Sequence, residues 1–327
     1  MISSAMRQAL VAGGTARRIS PPNPWVGAVL VRDGEVVGVG ATHAAGGPHA
    51  EVEALRVAGD LARGATLYVT LEPCHHRGRT GPCTEAIVSA GVSKVVVGVE
   101  DPDKRVSGQG LAALRAAGVA VEVGDGHEEI SNQLLPYLFQ RTTGRPFVVA
   151  KIASTLDGRV AMTDGSSQWI TSEDARRDGH ELRADSQAIV VGAGTIRSDN
   201  PRLTARLGDI TYEPLRVVLG AAPDDAAVHP CREFTGDLGD LLDDLGREGV
   251  IQVLVEGGPR VVAAFVEAGL VQKVVWYLAP ALAGAAGGLA ALETLETPTL
   301  ETLRRGRFLS VRTIGEDVRI DLEVSWR

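Results

Sequence analysis

The stretch GGPHAEVEAL, Gly46 to Leu55, sets a histidine and a glutamate two positions apart, where a Gly-Gly-Pro turn gives way to a helix beginning at about His49. Downstream, TLEPCHHRGRTGPCTEAI carries Cys74 and Cys83, each preceded by proline. His49, Cys74 and Cys83 offer one imidazole and two thiolates, a soft tetrahedral set that suits zinc and leaves a fourth position for water. Such an ion lowers the pKa of its water toward ~7 and makes a nucleophile available at neutral pH. Glu51, about 200° around an ideal helix from His49, need not be a ligand and is placed to carry that water's proton. Two blander readings compete: a Pro-His-Ala-Glu helix start is by itself more often a capped terminus, and His75 or His76 could close the site as a structural zinc.

A histidine and glutamate in H-x-E, joined to a later Pro-Cys, form the signature of zinc deaminases, in which water adds to an amidine-like ring carbon and ammonia leaves. Nucleoside deaminases keep two residues between the cysteines, whereas here eight intervene, HHRGRTGP. His76, Arg77, Arg79 and Thr80 around Gly78 suit phosphate oxygens, so the insertion points to a phosphorylated small molecule. An ordinary solvated basic loop is the alternative.

The second half holds another set. VLVEGGPRVVAAFVEAG reads as a strand running into Gly257-Gly258 and a helix from Pro259, where amides at the helix start can face a phosphate. An ordinary tight turn would look the same. VVGAGTIRSDNPRLTAR places Thr195, Asp199, Pro201, Leu203 and Arg206 in a polar segment without clear periodicity, read as an ordered binding loop. KIASTLDGR and SSQWITS add Lys151, Asp157 and Trp169.

These residues need a scaffold. WVGAVLVRDGEVVGVGA is two apolar runs split by Asp33-Gly34, a strong hairpin signal. After it come a helix, a strand ATLYVTL, a helix from about Pro82, a strand SKVVVGVE, a helix through LAALRAAG and a strand VAVEVG, the alternation of an α/β layered domain. A polar link at about Arg141 to Pro146 then precedes a fresh buried strand. The boundary is drawn there, giving domains 1–144 and 145–327. The second domain reads as a helix near Ser172 to Arg183, strands QAIVVG, LRVVLG and IQVLVEGG, a helix from about Pro259, and an antiparallel finish through KVVWYLAP, RFLSVRTIG and DVRIDLEVSW.

At 327 residues, with a net charge of −8 and 4% aromatic residues, the chain has neither the basic face nor the stacking aromatics of a general nucleic-acid binder. No apolar segment approaches ~18 residues and the N-terminus lacks a signal peptide's pattern, so the expectation is a cytoplasmic protein that meets no membrane. Three cysteines are poor material for disulfides. Cys231, beside Pro230, reads as an incidental free thiol.

PNPWVGAVLV, THAAGGPHAEVEAL, TLEPCHHRGRTGPC and DPDKRVSGQGL resemble the deaminase half of the RibD family, bifunctional riboflavin-biosynthesis deaminase/reductases. The likeness continues through the second half, over about residues 5 to 325. It implies an N-terminal cytidine-deaminase-like three-layer α/β/α domain and a C-terminal α/β domain similar to dihydrofolate reductase. The reactions implied are zinc-dependent deamination of a diaminopyrimidinone ribosyl phosphate, then reduction of the ribosyl group to ribityl by NADPH. In the first site the resemblance assigns substrate contacts to Asn23, His43, His76, Arg79, Thr80 and Asp101. In the second it assigns cofactor contacts to Ala153, Trp169, Thr195, Asp199 and the run Gly258, Pro259, Arg260, Val261, Val262, Ala263 and Ala264. Ser167, Arg183, Leu203, Arg206 and Glu256 would face the substrate, with Arg183 and Arg206 on its phosphate and Asp199 as a proton-transfer group. A homo-oligomer, dimer or tetramer, is also implied.

The chain departs from the family pattern at three places. His75 stands where a small residue is common, Gly81 occupies a usual proline position, and the segment Cys231 to Leu238 is expected to lack an apolar strand. That last departure keeps open a deaminase with a degenerate reductase half. Further alternatives are a nucleobase-editing deaminase with a C-terminal binding module, and a non-enzymatic scaffold around a closed zinc.

Overall fold

The computed structural model describes residues 2–76, 81–103, 106–284 and 286–325. Two compact units account for it, Met1–Gly144 and Arg145–Arg327.

The first unit opens with α1 (Ser4–Thr15), where the Ser3 hydroxyl accepts from the Met6 amide and caps the helix. The hairpin at Asp33-Gly34 forms from β1 (Gly27–Arg32) and β2 (Glu35–Ala41). Both turn residues have positive φ, 52° and 84°, as a tight two-residue hairpin turn requires. Alternation follows through α2 (Ala50–Ala58), β3 (Thr66–Leu71), α3 (Cys83–Ser89), β4 (Lys94–Val99), α4 (Gln109–Ala116) and β5 (Ala120–Val123), and α5 (His127–Thr143) ends the unit.

The sheet runs β2-β1-β3-β4-β5, antiparallel at β2, β1 and β3 and parallel beyond. One layer is α1 with α5; the other is α2, α3 and α4. Neither α1 nor α5 was legible in the sequence pattern, and α5 carries a buried Pro136 in its interior. Because α5 continues to Thr143 and ends at Gly144, φ 79°, the expected link from Arg141 is helical at its start.

The second unit begins β6 (Phe147–Thr155), β7 (Arg159–Ala161), α6 (Glu173–Ala184), β8 (Ala188–Gly192), α7 (Ala193–Asp199), β9 (Ala205–Leu207) and β10 (Ile210–Tyr212). It continues β11 (Leu215–Leu219), β12 (Arg232–Phe234), α8 (Leu238–Arg247), β13 (Gln252–Val255), α9 (Pro259–Glu267) and β14 (Lys273–Ala279). The short β15 (Leu289–Ala290) and the long hairpin β16 (Arg305–Ile314) and β17 (Asp317–Ser325) complete it. Its main sheet has the order β12-β11-β8-β13-β6-β14-β17-β16, parallel from β12 to β14 and antiparallel at the end. Val148, Val190, Val253 and Val255 on the central strands pack against Leu241, Leu242 and Leu245 of α8 and Phe265 of α9. Burial of such side chains on both sheet faces is what a parallel sheet needs.

Two expectations are corrected here. The segment from Thr195 is not a loop throughout, since α7 continues to Asp199 and Ala205–Leu207 is a strand. Nor is the sheet edge missing its strand: Arg232, Glu233 and Phe234 pair in parallel with Val217, Val218 and Leu219. This strand has three residues and one apolar side chain, too little for periodicity to register. Glu233 also accepts from the Ala222 amide at 2.7 Å, fastening the preceding loop to it.

Helix α2 lies against β2 at glycine. A Cβ on Gly40 would stand 2.2 Å from the Ala50 carbonyl oxygen and 2.5 Å from the Ala54 nitrogen. Gly40→Ala is therefore expected to lower the stability of the first unit by about 1–3 kcal/mol, the usual range for overpacking. A denaturation midpoint unchanged from the parent would contradict that packing.

Candidate active sites

His49 is the N-cap of α2, extended at φ −75° and ψ 163°, so its side chain leaves the helix start free of the first turn. Cys74 follows β3 across Glu72 and Pro73, and Cys83 is the first residue of α3. Their donor atoms and the His49 imidazole all lie within 4.8 Å of one another, the cluster of this kind found among the described residues. His49 Nδ1 is 3.6 Å from Cys74 Sγ and 3.3 Å from Cys83 Sγ. Zinc bonds of ~2.0 Å to nitrogen and ~2.3 Å to sulfur at a tetrahedral angle separate such donors by about 3.5 Å, so the set fits this ion.

The two thiols share one proton, with Cys74 favoured as the thiolate and Cys83 holding the proton that a metal ion would displace. Hydrogen bonding from Cys83 pulls Cys74 down to about 4 against the effect of burial, with His49 assisting. Sharing with Cys74, together with burial, pushes Cys83 up. The Cys83 amide also donates to Cys74 Sγ at 3.4 Å. His49 is raised, first by its hydrogen bond with Cys74. Glu51 is 4% exposed, and burial followed by the nearby Cys74 charge raises it to about 6, a carboxyl poised to gain and lose a proton.

Around these residues is a cavity of about 330 Å³ whose walls include Asn23, His76, Asp101, Tyr137 and Arg141. Asp101 is held by the Tyr137 hydroxyl at 3.0 Å and the Asp103 amide at 2.9 Å. His43 is outside the lining and faces Glu53, 3.9 Å away. His75 Nδ1 is 2.8 Å from the Thr84 hydroxyl, so its ring is engaged on α3. Arg79 and Thr80 lie outside the described residues.

Sequence reasoning passed over Glu72, Tyr137 and Arg141. Buried Glu72 accepts from the amides of Gly108 at 3.0 Å, Gly110 at 2.9 Å, Leu111 at 3.3 Å and Asp101 at 3.4 Å, tying the end of β3 to the segment entering α4. Tyr137 and Arg141 are four apart on α5, the helix whose pattern went unread, and the guanidinium lies 5.1 Å from the Tyr137 ring centre.

In the second unit a cavity of about 1440 Å³ opens at the ends of the parallel strands. Ala153, Ser167, Trp169, Thr195, Asp199, Leu203, Arg206, Arg183 and Glu256 all line it, with Gly258 through Val262. Ala263 does not, being buried in the core, and Ala264 is also outside the lining. The Gly258 amide donates to the Thr195 hydroxyl at 3.0 Å, so α7 fixes the start of α9. Trp169 is 68% exposed with the Arg176 guanidinium 4.5 Å from its ring centre. Leu203 is buried with φ 55°, a conformation that non-glycine residues rarely adopt. Asp157 is a structural link instead, accepting from the amides of Ala283 and Gly284.

The polar end of this cavity is organised by Glu256. Arg183 donates to it through Nε at 2.6 Å and Nη2 at 2.9 Å, Lys151 approaches at 3.4 Å, and Arg183 Nη1 reaches the Thr204 carbonyl at 3.1 Å. Burial opposes the charged carboxylate, but Arg183 and Lys151 outweigh it and hold Glu256 at about 2. The guanidinium fork of Arg183 is thus occupied by a carboxylate within the chain.

Comparison with known proteins adds two family matches. Residues 1–99 match the cytidine and deoxycytidylate deaminase zinc-binding region, and residues 146–320 match the RibD C-terminal domain. The chain is 38% identical to the riboflavin biosynthesis protein RibD of Escherichia coli over 97% of its own length and 98% of the relative's. It is 41% identical to RibD of Mycobacterium tuberculosis, covering 98% and 97%. Acinetobacter baumannii RibD superposes with a TM-score of 0.93 at 36% identity, and a Thermotoga maritima diaminohydroxyphosphoribosylaminopyrimidine deaminase/5-amino-6-(5-phosphoribosylamino)uracil reductase with 0.89 at 32%, each over 98% of both chains.

Metal analysis is expected to give one zinc per chain, lost in Cys83→Ala and retained in His75→Ala; loss in the latter would bring His75 into the ligand set. Glu256 has a folded pKa below its unfolded value, so its contribution to stability is complete above pH ~5 and is lost as pH falls toward 2. Glu256→Gln, which leaves the part-buried Arg183 and Lys151 without their counter-charge, is expected to destabilise the second unit by about 1–3 kcal/mol at pH 7. The gap should narrow at pH 3, and equal urea midpoints at pH 7 would refute the pairing.

Proposed function

The chain belongs to the RibD family, the bifunctional deaminase/reductases of riboflavin biosynthesis, and on that premise we propose which of its residues carry the two reactions. It is a hydrolase and an oxidoreductase on one chain, with a zinc-binding deaminase domain, residues 1–144, and an NADPH-dependent reductase domain, residues 145–327.

The substrate of the first domain is the diaminopyrimidinone ribosyl phosphate. Zinc, when bound by His49, Cys74 and Cys83, supplies Lewis acidity that makes water nucleophilic at neutral pH. Glu51 passes the attacking water's protons, one to the adjacent ring nitrogen and one to the departing amine, so that ring N=C–NH₂ and water become ring HN–C=O and ammonia. Its buried position and raised pKa beside the three donors carry this reading. Asn23, His76 and Asp101 on the cavity wall orient the ring and ribose, with Arg79 and Thr80 assigned to the phosphate and His43 to the rim.

In the second domain NADPH supplies the hydride for C1′ of the opened ribosyl group. Thr195 and the start of α9 hold the cofactor's phosphates, Ala153 and Trp169 flank it, and Asp199 is assigned to proton transfer. Ser167, Leu203, Arg206 and the Glu256–Arg183 pair face the sugar phosphate. The intact, strand-lined cavity favours an active reductase over a degenerate one, because the short β12 lies at the far edge of the sheet.

We assign the protein to the cytoplasm, where thiolate ligands stay reduced, and to a homo-oligomer. A ten-residue strand at the sheet margin with Phe308 66% and Val311 59% exposed supports the second point, since such margins are usually covered. No helix among the described residues is long and apolar enough to cross a membrane.

A paired assay of the zinc-loaded chain should show ammonia release coupled to NADPH oxidation. Glu51→Gln should lower ammonia release by about 10²–10⁴-fold while leaving NADPH oxidation on the deaminated intermediate unchanged. Ammonia without NADPH oxidation would confine the activity to the first domain.

A further inference from the structure

His180, on α6, lines the second cavity beside Arg183, Arg206 and Glu256 and has no part in the assignments above. Its Nδ1 accepts the backbone amide of Arg206 at 3.2 Å. An amide can only donate, so Nδ1 holds a lone pair and the ring proton of the neutral imidazole is on Nε2. The charged groups facing the ring favour this neutral form. Burial lowers the His180 pKa, as do Arg183 on its own helix and Arg206 on β9, while Glu256 after β13 and the Thr204 carbonyl act in the opposite sense.

That tautomer has a consequence for Arg206. His180 Nε2–H stands 3.4 Å from Arg206 Nη2, so two N–H donors meet and neither can satisfy the other. The other terminal nitrogen of the guanidinium donates to the Thr204 hydroxyl at 3.2 Å, which sets its direction. Arg183, by contrast, has its fork filled by Glu256. Paired donors that face a cavity at a cationic end are what an anion's oxygens require: one oxygen can accept from both, and a phosphate ester offers several.

We propose that His180, through Nε2–H, binds the phosphate group of the reductase substrate together with Arg206, and that through Nδ1 it holds the Arg206 backbone in register for that contact. This rests on the second domain being the reductase of a phosphorylated sugar, and it adds His180 to the groups that hold the phosphate. Gln at this position can supply an amide oxygen for the Arg206 N–H and an amide N–H for the phosphate, whereas Leu supplies neither.

The test uses the full chain. His180→Leu is expected to raise the reductase KM for the phosphorylated intermediate by about 10–100-fold, the span for a hydrogen bond to a charged group, with kcat within about threefold. His180→Gln should recover most of the loss, and the dephosphorylated intermediate should bind parent and His180→Leu equally. An unchanged urea midpoint of the second unit reports that each variant is folded there. Binding of ribose 5-phosphate, followed by equilibrium dialysis without turnover, should weaken by the same factor. An unchanged KM in His180→Leu, or an equal loss with the dephosphorylated compound, would overturn the proposal. If the parent protein fails to oxidise NADPH, the reductase reading fails by itself, and ribose 5-phosphate binding still decides whether His180 takes an anion.

Discussion

Three donor atoms on three separate pieces of backbone have to converge within 4.8 Å, and the architecture of the first unit follows from that demand. His49 precedes α2, Cys74 follows β3 and Cys83 begins α3, so each ligand lies where a regular element starts or stops. Such junctions leave amides free to steady a thiolate, as the Cys83 amide does for Cys74. They also need the elements themselves to be held hard in place. Gly40 lets α2 rest on β2 at backbone distance, and Glu72 gathers four amides to fix the opposite wall. A metal bound here would supply further folding free energy, because an unfolded chain has no preformed set of donors.

The two units treat a buried carboxylate in opposite ways. Burial, and then the neighbouring Cys74 charge, push Glu51 up, which keeps a proton exchangeable. Glu256 is surrounded by Arg183 and Lys151 and is pushed down, which keeps it ionised and makes it a fixed counter-charge. Environment, not residue type, separates a proton carrier from an electrostatic brace. Local geometry would be enough to tell them apart even without knowledge of the reactions.

Much of this was legible beforehand where chemistry concentrates in short contiguous motifs. PHAE, EPC and GPC marked the donors, and DG marked the hairpin, because each motif carries a local physical constraint. What escaped lies in residues whose role depends on distant partners. Glu72 looks like any strand-end glutamate until four amides from residues 101–111 surround it. Tyr137 and Arg141 sit on a helix with a proline inside and weak periodicity, so the sequence offered no face to assign. Strand β12 was too short and polar to register, and α7 was hidden by a turn-rich composition. His180 could not have been singled out, because its meaning comes from which atom of Arg206 it meets.

The strand order of the second unit bears on how such a chain can vary. β12 is separated from β13 by β11 and β8, and from β6 by one strand more, so at about 4.8 Å per strand it lies roughly 14 Å from the strand that leads to Glu256. Lys151 and Ala153, on β6, are farther still. Length can therefore be trimmed between Ala221, where the cavity wall ends, and Leu238, where α8 begins, as from the hem of a cloth, with the weave at the centre left in register. Natural sequences of this architecture should tolerate insertions and deletions along that margin far more readily than a single added residue between β13 and α9.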